Sequence, residues 1–325
     1  MTKLLWMTID RHPDSLKALI RDQLSDAGWD LYEVSYDSID SLKSVPLESI
    51  DAVLLAPARH FPVQYMDRLT SCKLMQIWSS GYDKFNINDA HQRGIPVANN
   101  HGSNAVSVAE HAILMMLGVS RRVPEMHRRV IDGNWAGNDH GMSSFSLFGK
   151  TLGIIGLGNI GSLVAKRAET LGMKVLFTDP GIENSPSSQW RKVAFNELLR
   201  QSDYITFHVH LAPETRGMIN DSNLDLLVRR PFIINVSRAE LVSYPAAMRA
   251  LEKGLIKGLA MDAHYMEPTA SEDPLYRFTN VFFSPHVAGS TVDSYDATIK
   301  RCRDNILAAL TALQPKGLIL EPGAT

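Results

Sequence analysis

The chain has 325 residues, 45% of them hydrophobic and 21% charged, and a net charge of −2 at neutral pH. That is ample apolar material for two cores, it argues against disorder, and the near-neutral balance gives no electrostatic case for nucleic acid or an anionic membrane. Its two cysteines, Cys72 and Cys302, stand far apart and outside any metal-ligand spacing, so neither a disulfide framework nor a metal site is expected.

Residues 1–100 alternate strand patterns (4–9, 29–36, 52–56, 74–80, 96–99) with helical ones (15–27, 87–93). Such alternation implies a parallel sheet covered by helices. The first apolar run is a strand's length and stops at Asp10 and Arg11, so no leader or membrane-spanning helix is expected and the protein reads as cytoplasmic. Asp10-Arg11-His12-Pro13 follows that strand where a nucleotide site would carry a glycine loop. Loops at the carboxyl ends of these strands are better candidates for touching a substrate. Two stand out: residues 56–62, with Arg59 beside His60, and residues 78–83, where Ser80 and Gly81 offer N–H groups to an anion. Each is equally readable as a plain surface connection.

In residues 102–123, Ser103 is the expected N-cap of a helix whose run 113–119 is apolar on every side. Such a helix is expected to be buried all round, between domains or at a subunit interface. Glu110 and His111 precede that run; they are readable as part of the site, with a paired, satisfied interfacial couple the favoured reading, and residues 132–149 read as a long polar loop.

The most informative stretch is 151–179. An apolar strand (152–157) is punctuated by Gly156, Gly158 and Gly161; a helical pattern follows from Asn159 and Ile160, and a second strand delivers Asp179. Gly156 permits a tight turn, Gly158 lets a pyrophosphate approach the backbone, and Gly161 lets helix and strand pack closely. The helix N-terminus favours phosphate, and Asp179 can accept from both ribose hydroxyls while repelling a 2′-phosphate, so NAD is the expected cofactor.

Beyond it, short helices are expected at 197–200, 224–228 and 246–253, and strands at 204–210, 232–236, 258–262 and 281–284. A long helix from 291 carries Ile299, Cys302, Ile306, Leu307 and Leu310 on one face. Arg238, Glu267 and His286 stand at or just past strand ends, which converge on one crevice in a parallel sheet. Arg238 can fork onto carboxylate and carbonyl oxygens, His286 can move a proton, and Glu267 can orient the imidazole. Taken singly, each has an ordinary structural alternative, and spacing alone does not assign them.

The chain resembles the D-isomer-specific 2-hydroxyacid dehydrogenase family through SSGYDKFNI (79–87), GSNAVSVAEH (102–111), FGKTLGIIGLGNIG (148–161), DYITFHVHLAPETRGMIN (203–220), INVSRAELV (234–242), GLAMDAHYMEP (258–268) and SPHVAGST (284–291). The resemblance implies two Rossmann-like, doubly wound parallel-sheet α/β domains. The first is a discontinuous, flavodoxin-like substrate-binding (catalytic) domain of residues 1–100 plus 290–325, and the second is an NAD-binding domain of residues 101–289. It implies catalysis by Arg238, Glu267 and His286, and substrate binding by Ser80, Gly81 and Arg238. Cofactor contacts implied beyond the glycine loop and Asp179 are Asn159, Ile160, His208, Thr215, Val236 and Asp262, the last toward the nicotinamide amide. It further implies hydride transfer between NAD(H) and a small 2-oxo acid, in a homodimer. Ala239 replaces a usual glycine, Ser243 a frequent aspartate and His210 a common proline, changes that bear on substrate range. Asn104 is similar to the formate dehydrogenase branch, but that branch pairs its histidine with glutamine, where Glu267 stands here. Formate or phosphite oxidation, or a dinucleotide-sensing corepressor, are the alternatives on this scaffold.

Overall fold

The computed structural model describes residues 1–10, 12–25, 28–56, 59–82, 85, 87–135 and 137–320. Arg11, Ala27, Pro57, Ala58 and Asp83, all part of expected loops or helix ends, lie outside them. The chain divides into two units, Met1–Asn104 with Thr291–Thr325, and Ala105–Ser290.

The first unit begins β1 (Lys3–Thr8), α1 (Asp14–Ser25), β2 (Asp30–Ser35), β3 (Ala52–Leu55), α2 (Val63–Met66), β4 (Leu74–Ile77), α3 (Ile87–His91) and β5 (Val97–Ala98). The second unit starts with α4 (Ala105–Ser120), α5 (Val123–Ile131), β6 (Thr151–Ile155), α6 (Asn159–Thr170), β7 (Lys174–Thr178) and β8 (Trp190–Lys192). It continues with α7 (Phe195–Gln201), β9 (Tyr204–Phe207), β10 (Phe232–Asn235), α8 (Tyr244–Glu252), β11 (Gly258–Met261) and β12 (Val281–Phe283). The chain then returns to the first unit as α9 (Val292–Leu310) and β13 (Leu318–Ile319).

Among the described residues, the first unit holds a six-stranded sheet in the order β13-β5-β4-β3-β1-β2, parallel except where β13 pairs with β5. The second holds a seven-stranded parallel sheet, β12-β11-β10-β9-β6-β7-β8. Each sheet is covered on both faces, which explains the near-continuous apolar strands. On β1, Leu4 and Trp6 enter one core while Leu5 and Met7 enter the other. On β10, Phe232 and Ile234 face one core and Ile233 the opposite one. The second sheet reverses its order between β6 and β9, so the loops after these two strands flank a switch point, where open α/β sheets take ligands.

Several expectations need correction. Within the single chain, helix α4 packs on β10, β11 and β12 and leaves Val106, Leu114 and Leu117 exposed, so its own core covers one side of it and the expected burial at a subunit interface is left to a second copy. Ser103 lies outside the helix and is not its cap; its hydroxyl donates to the Asn100 carbonyl and meets Thr298 Oγ1. On α9, Ile299, Cys302 and Ile306 are buried, but Leu307 is exposed. The loop expected over 132–149 contains a 3-10 turn, Asp139–Ser143. No helix among the described residues is long and apolar enough to cross a membrane, and no group of three or more metal-binding side chains occurs among them.

Candidate active site

The glycine loop is built as its spacing requires. Gly156 takes φ +89°, and a Cβ there would lie 2.6 Å from the His208 carbonyl oxygen, so neither angle nor space admits a side chain. A Cβ on Gly161 would collide with the Gly156 carbonyl oxygen, whereas nothing lies within 4 Å of one on Gly158. The outer face of the loop is therefore open. Gly158 is the N-cap of α6 and brings no side chain to the N–H groups of the first turn, where Asn159 and Ile160 lie.

Asp179 follows β7. Its Oδ2 accepts from Leu157 N–H and its Oδ1 from Gly181 N–H, both at 2.8 Å, and each oxygen keeps a lone pair for a hydroxyl. It lines a cavity of about 480 Å³ with Pro180, Lys192, Val193 and Glu197. Lys192 donates to the Ile182 carbonyl at 2.5 Å, while Arg191 turns to Glu197 and Gln201.

At the other side of the switch point, burial pushes the pKa of His208 down to about 3, so the ring is neutral. Its Nε2 meets Thr206 Oγ1 at 3.1 Å, and its shielded Nδ1 has no hydrogen-bond partner among the described residues. Thr215 closes its own turn, accepting from Ala212 N–H at 2.8 Å and donating to the His210 carbonyl at 2.7 Å. Val236, just past β10, is buried.

Arg238, Glu267 and His286 follow β10, β11 and β12, three neighbouring strands of one parallel sheet. Arg238 is half-buried, and its Nη1 donates to the Ser237 carbonyl at 2.9 Å. His286 Nδ1 and Glu267 Oε1 are 2.7 Å apart. A carboxylate only accepts, so Nδ1 carries hydrogen in this bond and Nε2 is the nitrogen available for exchanging a proton.

Asp262 is fully buried at the end of β11. Burial alone would raise its pKa; hydrogen bonds from His111, Ser284 and the N–H groups of Val287 and Ala288 outweigh that and hold it near about 2. Ser284 Oγ lies 2.5 Å from Asp262 Oδ1 and 2.8 Å from His111 Nε2, while Val287 and Ala288 N–H donate to the carboxylate at 2.9 and 2.8 Å. His111 is thus paired with this network, and Glu110 pairs instead with Arg167 at 3.2 Å. Sequence reasoning missed Ser284 and favoured a satisfied couple with Glu110 over a site role for His111: a serine before proline and a histidine on an apolar helix carry no local sign of the buried carboxylate between them.

In the first unit, Ser80 spends its side chain on scaffolding. Its Oγ donates to the Asn100 carbonyl at 2.9 Å and its own carbonyl accepts from Asn99 Nδ2 at 2.7 Å. The N–H groups of Ser80 and Gly81 have no partner among the described residues. On the loop after β3, the Arg59 carbonyl accepts from Tyr36 OH and the His60 ring leans on Phe85.

A family profile described as "D-isomer specific 2-hydroxyacid dehydrogenase, NAD binding domain" matches residues 113–288. A glyoxylate reductase of Korarchaeum cryptofilum is 31% identical over 86% of this chain and 82% of its own length. A D-3-phosphoglycerate dehydrogenase of Archaeoglobus fulgidus is 34% identical over 77% of this chain, which spans only 47% of that protein. A solved structure of a D-2-hydroxyisocaproate dehydrogenase superposes with a TM-score of 0.86, covering 98% of this chain and 99% of that one at 20% identity, a likeness of fold.

Proposed function

Because the chain belongs to the D-isomer specific 2-hydroxyacid dehydrogenase family of NAD-dependent oxidoreductases, we propose that it interconverts a small 2-oxo acid and its D-2-hydroxy acid. The observation that carries this reading is the His286–Glu267 pair, which leaves Nε2 of the imidazole for proton exchange. NADH, when bound, supplies the hydride to the carbonyl carbon. Arg238 offers its fork to the carboxylate and carbonyl oxygens, and the N–H groups of Ser80 and Gly81 serve the carboxylate. His286 gives the Nε2 proton to the carbonyl oxygen while Glu267 keeps the Nδ1–H and so the ring's orientation. In the oxidative direction the same nitrogen takes the proton back. Asn159 and Ile160 present first-turn N–H groups to the pyrophosphate, and Asp179 takes the ribose hydroxyls. His208, Thr215, Val236 and Asp262 supply the remaining cofactor contacts, Asp262 toward the nicotinamide amide.

The test is NADH consumption against glyoxylate, hydroxypyruvate, phenylpyruvate and longer 2-oxo acids, beside NAD⁺ reduction by formate and by phosphite. Turnover of at least one 2-oxo acid supports the reading. Oxidation of formate or phosphite alone, or dinucleotide binding without any turnover, overturns it.

The protein acts as a homodimer in this reading. Val106, Leu114 and Leu117 on α4, Val123, Val130 and Ile131 on α5, and Trp135 beyond it, give the second unit an apolar surface for a second copy. Light scattering after size exclusion should return twice the 36.1 kDa chain mass, and Leu114→Glu should return the monomer. A monomeric wild type would remove this assignment.

A further inference from the structure

Resting on the proton-transfer role given above to His286 and Glu267, we propose that His264 is a positioning residue that holds this pair in register from both ends. His264 stands three residues past β11, and its backbone N–H donates to Glu267 Oε1 at 3.0 Å. That is the same oxygen that meets His286 Nδ1 at 2.7 Å. Its ring reaches the opposite end of the assembly, with Nε2 2.8 Å from the Ser284 carbonyl oxygen. That oxygen also accepts the backbone N–H of His286, at 3.0 Å. The result is a closed circuit, His264 to Glu267 to His286 to Ser284 and back to His264.

The circuit answers a mechanical need. His286 sits in the left-handed region at φ +56°, which a residue with a Cβ keeps only where its surroundings over-determine the backbone. Its side chain is 44% exposed, so packing alone does not fix the imidazole. On one side of the turn, Asp262 binds Ser284 Oγ and the N–H groups of Val287 and Ala288. On the other, the His264 ring is the side-chain donor to the peptide preceding Pro285 and His286. A carbonyl oxygen only accepts, so Nε2 carries hydrogen whether this ring is neutral or charged, and the brace does not depend on its protonation. The ring is itself steadied against Phe283, with centroids 5.7 Å apart. The backbone bond to Glu267 is available to any residue at this position; the ring bond to Ser284 needs a side-chain donor of this reach.

The test compares His264→Phe, which keeps a flat ring against Phe283 but loses the donor, with His264→Gln, which restores a donor at similar reach. With NADH and the best 2-oxo acid, kcat of the phenylalanine variant should fall about tenfold or more, since small misplacements of reacting groups are costly. KM for both substrates should stay within about twofold, and the glutamine variant should recover most of kcat. Hydrogen exchange of the peptide covering residues 284–290 supplies a readout that needs no turnover. It should quicken several-fold in His264→Phe and return toward the wild-type rate in His264→Gln. Wild-type kcat and exchange in the phenylalanine variant would overturn the proposal. So would equal losses in both variants accompanied by a lowered Tm, which mark a general structural role. If the wild type reduces no 2-oxo acid, the functional reading falls by itself, and exchange alone decides whether the brace exists.

Discussion

Arg238 concentrates binding and chemistry in one side chain, because its fork serves two substrate groups at once in the proposed reaction. Arg238→Ala should therefore lower kcat/KM by the equivalent of about 2–5 kcal/mol, the range for losing one partner of a desolvated charge pair. Arg238→Lys should rescue little, since an ammonium cannot reproduce a planar fork; near-wild-type kinetics in either variant would take Arg238 out of the site. Asp179 is the corresponding residue for the cofactor in the proposed reaction. With its carboxylate fixed by Leu157 and Gly181, a 2′-phosphate would meet a held negative charge. NADH should be favoured over NADPH by at least about tenfold in kcat/KM, worth about 1.4 kcal/mol. Asp179→Ala should narrow that ratio, helped by Lys192 in the same cavity, and equal use of both cofactors by the wild type would refute the argument. Both candidates could be picked from the sequence because each follows a recognisable strand inside a motif. His264 and Ser284 were not, because their roles are set by bonds to a carboxylate and a carbonyl brought near only by the fold.

At the scale of elements, long apolar strands and punctuated helices were readable, and most expected elements are present within a few residues. What escaped was short or lacked a buried face. Helix α5 is nine residues long, and although Val123, Met126, Val130 and Ile131 recur at helical spacing, none of them is buried against the chain's own core. Strand β8 has three residues and β13 two, and β13 exists only through antiparallel pairing with β5, from the far end of the chain. The exposure of Leu114 and Leu117 escaped for the opposite reason: an all-apolar helix reads as buried whether its second face meets its own core or another copy. The buried face of α4 is tightly specified by Gly118, where an added Cβ would collide with the Phe282 ring of β12. Gly118→Ala should lower stability by about 1–3 kcal/mol, as overpacking typically does, despite alanine's better helix propensity. Thermal unfolding of the two proteins checks this, and an unchanged or raised Tm would mean that Phe282 gives way freely.

For the molecule as a whole, His208 and Asp262 bend the acid side of the stability curve in the same direction. His208 falls from an ordinary value of 6.5 to about 3 in the fold, so between these values the unfolded chain binds the proton that the folded one refuses. Its contribution is therefore complete above about pH 6.5 and is lost as pH falls, at a slope approaching about 1.4 kcal/mol per pH unit. Asp262 is depressed from 3.8 to about 2, so its share is present above about pH 4 and disappears as pH falls through 2. Between pH 6 and 4 the slope attributable to these two groups should thus come from His208 alone, with Asp262 adding to it only below that window. Denaturant midpoints between pH 8 and 3 measure the curve. His208→Gln keeps a polar group within reach of Thr206 and removes the titration, so it should flatten the wild-type slope between pH 6 and 4 by up to one proton while leaving the steepening below pH 4. A variant whose slope matches the wild type throughout that window would show that the His208 ring is not held neutral in the fold.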